Sequence, residues 1–148
     1  MKETWETRHM KEEDAVRVAA LEAENFSDPW SLDAFQKIYF DKNYIVLILE
    51  KEEMILGYCV LLCAGTQADI TNVCTAAQAR RKGVATALLT ALFEEGNARA
   101  VEEYFLEVRE GNTAARTLYK KLGFEEIGTR KNYYEKPREN AVLMRRAQ

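Results

Sequence analysis

The chain has 148 residues, with 21 Lys and Arg against 24 Asp and Glu, so its formal net charge is −3. A hydrophobic fraction of 47% and a charged fraction of 30% are typical of a folded globular protein and exclude an intrinsically disordered one. The longest apolar run, residues 58–64, is far shorter than the roughly 20 residues of a membrane helix, and an acidic balance argues against a broad nucleic-acid-binding surface.

The cysteines and the single histidine argue against a disulfide framework and a Cys/His metal site. Cys59, Cys63 and Cys74 are odd in number and too few for a disulfide framework, and each lies in an apolar stretch. With His9 as the one histidine, a Cys/His metal cage cannot be assembled. We therefore expect a metal-free, cytoplasmic protein without a membrane or nucleic-acid partner, folded as a single domain over residues 1–148.

The first part of the chain predicts a strand followed by two helices. Residues 4–8 are predicted to form the strand, and residues 12–25 an amphipathic helix. Pro29 interrupts the helical pattern, and Ser31 can cap a second short helix that runs to Tyr39. The spacing predicts that the apolar face of the first helix comprises Val16, Ala19, Ala20 and Ala23.

Three strands are predicted next. Apolar runs at 44–49 and 55–64 are joined by a short polar stretch, which indicates a hairpin of buried strands. A further strand is predicted from residue 67 to about residue 75. Its alternation would bring to one face Ala68, Ile70, Asn72 and Cys74.

The hydrophobic period then changes to that of a helix. Val84, Leu88 and Leu92 recur at i, i+4 and i+8, which predicts a long helix from Gly83 onward. A strand, a helix that Gly123 ends, and two last strands are predicted at 103–108, 113–122, 124–134 and 140–146. This order predicts an α/β (α+β) fold in which a mixed, mostly antiparallel sheet carries helices on both faces.

Three consecutive cations stand where the long helix begins, in Arg80-Arg81-Lys82-Gly83. Cations at a helix N-terminus cost roughly a few tenths of a kcal/mol each, unless the site binds an anion. The amides at the helix start could donate to phosphate oxygens, and Gly83 has no side chain to block their approach. The alternative is a solvated basic loop before an ordinary helix. Neither a Walker-type phosphate loop nor the pattern G-x-G-x-x-G is present.

This segment resembles the acetyl-CoA signature R/Q-x-x-G-x-G/A of the GNAT acetyltransferases, with Arg80, Gly83 and Ala85 at the three defined positions. The resemblance implies acetyl-CoA as cosubstrate, with its pyrophosphate at the helix start and its pantetheine arm along the preceding strand. It also implies a cofactor contact for Asn112, which alone would be interpreted as a helix N-cap. The other implied contacts are Val73, Cys74, Thr75, Arg80, Arg81, Lys82, Gly83, Val84, Ala85 and Thr86.

Further blocks of the chain are similar to the bacterial ribosomal-protein-alanine N-acetyltransferases of the RimI type. They comprise 106–109, Asn112, Ala115, 118–119, 123–124, the Arg-x-x-Tyr-Tyr motif at 130–134, the stretch 26–31 that ends in Pro-Trp-Ser, and 139–144. Three positions depart from the usual pattern: Thr75-Ala76-Ala77 stands where an acidic residue and Pro usually follow the strand, Gly111 where Ser is usual, and Asn140 where Asp is usual. The similarity implies acetyl transfer to the N-terminal α-amine of a protein, with the N-terminal alanine of a small-subunit ribosomal protein as the expected acceptor.

The resemblance assigns the proton transfers to Glu107 and Tyr119. An α-amine has a pKa of about 7.7–8.0, so one carboxylate acting directly or through a water is a suitable base. The alternative for Glu107 is a strand-end residue that faces water or pairs with Arg109. Tyr119 would protonate the leaving thiolate, or it would be an ordinary core tyrosine. The backbone amide of Val73 would stabilise the oxyanion.

The remaining candidates concern the acceptor. Trp30, Tyr133 and Tyr134 are either walls of a peptide site or plain core residues. An acetyl-cysteine intermediate on Cys74 would need a base that the sequence does not supply, so direct transfer is expected. Two other functions stay open: acetylation of a small-molecule amine or a lysine side chain, and non-catalytic binding of acetyl-CoA.

Overall fold

A seven-stranded sheet forms the centre of the computed structural model, which describes residues 4–147. Its strands are β1 Glu6–His9, β2 Tyr44–Lys51, β3 Met54–Ala64, β4 Gln67–Thr75, β5 Glu103–Arg109, β6 Glu125–Glu135 and β7 Arg138–Ala147. They lie in the order β1-β2-β3-β4-β5-β7-β6, and all neighbours are antiparallel except the parallel pair β4 and β5. The predicted mixed, mostly antiparallel sheet is confirmed.

Helices cover both faces of this sheet, as predicted. Within the described range they are α1 Ala15–Asn25, α2 Leu32–Tyr39, α3 Val84–Ala98 and α4 Thr113–Lys121, with 3-10 turns at Glu12–Asp14 and Ala77–Ala79. Side chains of α1 and α2 pack into the core on one face, and those of α3 and α4 into the core on the other. No helix in residues 4–147 is both long enough and apolar enough to cross a membrane.

Two helix ends follow the predicted local chemistry. The Ser31 hydroxyl accepts a hydrogen bond from the amide of Ala34 at 3.1 Å and so caps α2. Gly123 follows the end of α4 with a φ of 98°, a left-handed conformation that glycine adopts without strain. Both predictions rest on interactions within one turn of the chain, and both are confirmed.

α1 buries a different face from the one predicted. Of the predicted apolar positions, Val16 is 60% exposed, Ala20 and Ala23 are also exposed, and Ala19 is half-buried. The buried residues are Ala15, Val18 and Glu22. The reason is that the sheet-facing side contains a charged residue, Glu22, whose carboxylate is satisfied by hydrogen bonds from distant parts of the chain.

β4 also departs from the prediction, because its two halves face different cores. The register between β3 and β4 shifts at Thr71, which is an extra residue in β4 and forms a β-bulge. Before the bulge, Ala68 and Ile70 join the core beneath α3; after it, Asn72 and Cys74 turn towards α1. The expectation that these four side chains share one face is therefore wrong.

β4 and β5 pair only along their first residues. The ladder between them consists of Gln67 with Glu103, Ala68 with Tyr104 and Asp69 with Phe105. Beyond it, β4 stays paired with β3 as far as Thr75, and β5 stays paired with β7 as far as Arg109. The two strands thus separate into a gap that opens through the sheet.

A buried carboxylate fixes the N-terminal elements. Asp14 accepts hydrogen bonds from the two terminal nitrogens of the Arg8 guanidinium, Nη1 and Nη2, at 2.7 and 3.1 Å. It also accepts from Arg17 at 2.9 Å and from the backbone amide of Lys11 at 2.7 Å. Arg8 also bonds to Glu50 in β2. The Arg8 hydrogen bonds hold the pKa of Asp14 well below its usual range.

We expect Asp14→Asn to lower the free energy of unfolding at pH 7 by about 2–3 kcal/mol, because it breaks a buried charge pair. Since the folded-state pKa of Asp14 is depressed, its contribution is present at neutral pH and is lost as the pH falls below about 4. Urea denaturation at pH 7 and pH 3 measures both effects. The variant should lose less stability on acidification than the wild type, and an equal loss would contradict the assignment. The control is Asp33→Asn, because Asp33 forms an exposed ion pair with Lys37.

Candidate functional site

The loop before α3 has a backbone conformation that presents amide groups. Arg81 and Gly83 both have left-handed conformations, with φ values of 65° and 84°, and Lys82 lies between them. The N–H of Ala87 donates to the carbonyl of Gly83 at 3.0 Å. The amides of residues 84–86 precede it and have no acceptor within the helix. Such a run of amides is the arrangement that binds anions.

The side-chain charges of this loop also favour the binding of an anion. Arg80, Arg81 and Lys82 are exposed, and the first turn of α3 carries no acidic residue. A Cβ placed on Gly83 would meet no atom within 4 Å, so the approach to the amides is open. Arg80 is also held by the side chain of Asn25 in α1, with its Nη2 2.5 Å from the amide oxygen. The loop therefore combines amide donors, cations and the positive end of a helix.

Gly57 allows α3 to begin close to the sheet, which sequence reasoning missed. A Cβ at this position of β3 would lie 2.7 Å from the carbonyl oxygen of Cys74 and 2.8 Å from the Cγ1 of Val84. A larger residue would displace either the end of β4 or the start of α3. An isolated glycine inside a predicted strand was the available signal.

The end of β4 borders the gap beside this loop. Val73 and Thr75 are half-buried, and Cys74 is buried with its side chain towards α1. Burial raises the pKa of the Cys74 thiol to about 11, so it is protonated at neutral pH. A neutral thiol is a poor nucleophile, which agrees with the expectation that Cys74 is not an acyl carrier.

Glu107 lies on the other border of the gap, in β5. Its neighbours Leu106 and Val108 face the core beneath α3 and α4, so its own side chain points to the opposite face of the sheet. That side chain is 31% exposed, and its Oε2 lies 3.5 Å from the Nε of Arg130 in β6. Arg109, the partner that the sequence suggested, is instead paired with Glu139.

Tyr119 belongs to α4 and therefore lies on the other face of the sheet from Glu107. Its ring is buried and packs edge-on against Phe124 at 5.8 Å, and burial raises the pKa of its hydroxyl. Tyr134 interacts electrostatically with both groups: burial, aided by the charge of Glu107, raises the pKa of Tyr134 to about 12. The ring of Tyr133 packs edge-on against that of Tyr134, with the ring centres 5.1 Å apart, and burial and the charge of Glu107 likewise raise the pKa of Tyr133. Tyr134 thus lies within electrostatic reach of a carboxylate on one face of the sheet and a phenol on the other.

Arg109 joins two segments beside Glu107. Its guanidinium lies 4.3 Å from the ring centre of Tyr134 and donates to the carbonyl oxygens of Lys136 and Pro137, at 3.1 and 2.9 Å. It also donates to the hydroxyl of Ser27, at 3.4 Å. The β6–β7 turn and the segment between α1 and α2 are therefore fastened to each other at the open end of the gap.

Asn112 and Trp30, two of the predicted site residues, interact with other residues of the protein. The Asn112 side chain accepts from the amide of Ala115 at 3.2 Å and so caps α4, the role its sequence position alone suggested. The ring of Trp30 packs at 5.5 Å against Phe35 in the core beneath α2. A cofactor contact for Asn112 and a peptide contact for Trp30 stay predictions. Among residues 4–147, no three His, Cys, Asp or Glu side chains are arranged to bind a metal.

Comparison with known proteins agrees with this geometry. Residues 13–124 match the family model described as the acetyltransferase (GNAT) family. The ribosomal protein bS18-alanine N-acetyltransferase of Haemophilus ducreyi is 34% identical over 136 residues, which cover 90% of this chain and 93% of that protein. The enzyme of the same name from Haemophilus influenzae is 34% identical, over 88% of this chain and 90% of that protein.

A solved structure of an enzyme with this activity has a similar fold. The crystal structure of the ribosomal-protein-S18-alanine N-acetyltransferase from Escherichia coli matches with a TM-score of 0.89 and 27% sequence identity. The match covers 97% of this chain and 94% of that one. The whole described architecture, and not the helix start alone, is therefore similar to that of this enzyme.

We expect the double variant Arg81→Ala/Lys82→Ala to bind coenzyme A about 10-fold more weakly or worse, because two cations at the anion site are removed. The loss should be larger at low salt, since screening weakens exposed charges. Calorimetric titration at two ionic strengths measures both effects. Lys37→Ala/Lys42→Ala removes the same charge from the region of α2 and should leave affinity unchanged. A loss confined to the acceptor's KM would contradict the assignment.

Proposed function

The chain belongs to the GNAT acetyltransferase family and is an acetyl-CoA-dependent N-acetyltransferase, and on that premise we propose that its acceptor is the N-terminal α-amine of a protein. The acceptor that the relatives' names specify is the alanine of ribosomal protein bS18, and we extend it to this chain. The observation that carries the proposed reaction is the gap between β4 and β5, with Glu107 on one face and Tyr119 on the other.

Acetyl-CoA is proposed to bind to the loop before α3 and to the edge of β4 that faces the gap. The amides of residues 81–86 and the cations of residues 80–82 would hold the pyrophosphate, where the charge and the backbone conformation both suit an anion. The edge of β4 at residues 73–75 is not paired with β5 and can bind the amides of the pantetheine arm. The thioester supplies the activated acetyl group that an amine can attack.

Glu107 is proposed to accept the proton of the acceptor's ammonium, directly or through one water. The pKa of an α-amine, about 7.7–8.0, is more than two units below that of lysine, so an exposed carboxylate suffices for the α-amine and is a weaker match for lysine. The side chain is accessible at 31% exposure and faces the side of the sheet on which Tyr133 and Tyr134 lie. These two rings would flank the entering peptide.

Tyr119 is proposed to protonate the thiolate as it leaves. With an ordinary pKa near 10, a tyrosine hydroxyl carries its proton at neutral pH and can donate it to a thiolate. Burial raises the pKa of Tyr119 further, which makes its hydroxyl a weaker acid. The backbone amide of Val73 would stabilise the oxyanion, because β4 turns this edge into the gap. The protonated state of Cys74 supports direct transfer without a covalent enzyme intermediate.

A competition between acceptors tests the proposed function. We expect the enzyme and acetyl-CoA to acetylate the α-amine of a peptide that begins with alanine and copies the bS18 terminus. Mass spectrometry with fragmentation locates the acetyl group. The matched control peptide has its α-amine blocked and one internal lysine, and spermidine serves as a small amine. Faster acetylation of either control would favour the small-molecule or lysine alternative instead.

We expect Glu107→Gln to lower kcat at pH 7 by about 10²- to 10⁴-fold, because it removes the base while keeping the shape of the side chain. The Kd of acetyl-CoA should change less than about twofold, since the anion site is untouched. Steady-state kinetics and calorimetry measure the two quantities. Glu102→Gln, an exposed position just before β5, is the matched control. Normal turnover at saturation combined with weak cofactor binding would show that Glu107 is not the base.

A further inference from the structure

Glu22 is a buried carboxylate that the proposed reaction does not use. It lies in α1 at 2% exposure and accepts hydrogen bonds from the hydroxyl of Tyr58, from the side-chain amide of Asn72 at 3.2 and 3.3 Å, and from the backbone N–H of Trp30 at 3.0 Å. Within residues 4–147 it forms no salt bridge. All three donors are neutral groups.

Two of these donors, Trp30 and Asn72, come from the two sides of the proposed acceptor site. Trp30 lies in the segment between α1 and α2, which Arg109 fastens to the β6–β7 turn through Ser27. Asn72 follows the bulge in β4 and directly precedes Val73, the proposed oxyanion donor. The carboxylate of Glu22 therefore connects the acceptor-side segment with the acetyl-side strand.

The free energy of burying a charge suggests that Glu22 serves to position these two segments and not to stabilise the fold. An apolar residue of similar size at a buried site is often as stabilising as a buried charge, or more so. Moreover, the carbonyl oxygen of the Asn72 side chain is buried and has no donor among the described residues. Because the amide nitrogen of Asn72 must face Glu22, its oxygen is turned away from the donors around the carboxylate. Such an unsatisfied group at a functional site calls for an explanation beyond stability.

We propose that Glu22 is a positioning residue for the acceptor. It holds the Trp30 segment and the end of β4 at a fixed spacing, so that the incoming α-amine meets the acetyl carbon. This role rests on the proposed function, since it concerns the spacing of the two partners of that reaction. It leaves the anion site at the start of α3 unaffected.

The test is Glu22→Gln, which keeps the size of the side chain but sets an NH₂ group against donors. We expect kcat/KM for the alanine-terminated peptide to fall about 10- to 100-fold, because a displacement of about 1 Å at a reacting centre has effects of this size. The Kd of acetyl-CoA should stay within about twofold of the wild-type value. Kinetics are measured on folded protein, with the thermal midpoint determined in parallel.

Asp14→Asn is the matched control, because it also alters a buried carboxylate and lowers stability but lies away from the gap. It should leave kcat/KM unchanged. If Glu22→Gln lowers only the thermal midpoint, as Asp14→Asn does, Glu22 is structural and the inference is overturned. Where Glu22→Gln does not fold, Tyr58→Phe removes one donor and keeps the ring in the core. It should reduce kcat/KM for the peptide at constant acetyl-CoA affinity, and an unchanged value would overturn the inference as well.

The wild-type reaction separates this test from that of the proposed function. If wild-type enzyme acetylates spermidine or lysine and not the α-amine, the proposed acceptor is wrong. The Glu22 variants are then compared on the amine that does react. A selective loss of kcat/KM for that amine supports the positioning role, and an unchanged value contradicts it.

Discussion

The separation of two parallel strands is the constraint on which the site depends. β4 and β5 share a ladder of three residue pairs and then diverge, yet each remains hydrogen-bonded to its outer neighbour. Both borders of the gap therefore keep a regular ladder on their outer side. Glu107 and Tyr119 lie on opposite faces of the sheet, so the reaction proposed for them needs a ligand that reaches both through this gap. A fully paired sheet would keep them apart.

The start of α3 is coupled to the same gap through close packing. Gly57 lets the helix begin against β3 and the end of β4, so the amides at the helix start lie close to the unpaired edge of β4. The cations of residues 80–82 are unfavourable at a helix N-terminus on their own. Their position is explained once the loop is treated as a binding site, where local stability is exchanged for ligand affinity.

The sequence was sufficient to predict the features that depend on local interactions. The period of Val84, Leu88 and Leu92 predicts α3, and the cap at Ser31 predicts the start of α2; both are confirmed. Prediction from sequence failed where residues far apart in the chain determine the local structure. Glu22 is buried because donors 36 and 50 residues away reach it, and the Thr71 bulge depends on pairing with β3. The site residues came from a family resemblance, but the partner of Glu107 depends on the path of β6.

That path has a consequence for the surface of the molecule. β6 is an outermost strand of 11 residues, and its register with β7 is irregular between Glu126 and Gly128 and again between Arg130 and Tyr134. In the second irregularity, Asn132 takes a left-handed conformation and its amide bonds to the side chain of Asn140. An edge broken in this way, and lined with charges, is a poor template for strand addition by another molecule. The irregular register of β6, the strand that carries Arg130, thus also guards the protein against aggregation.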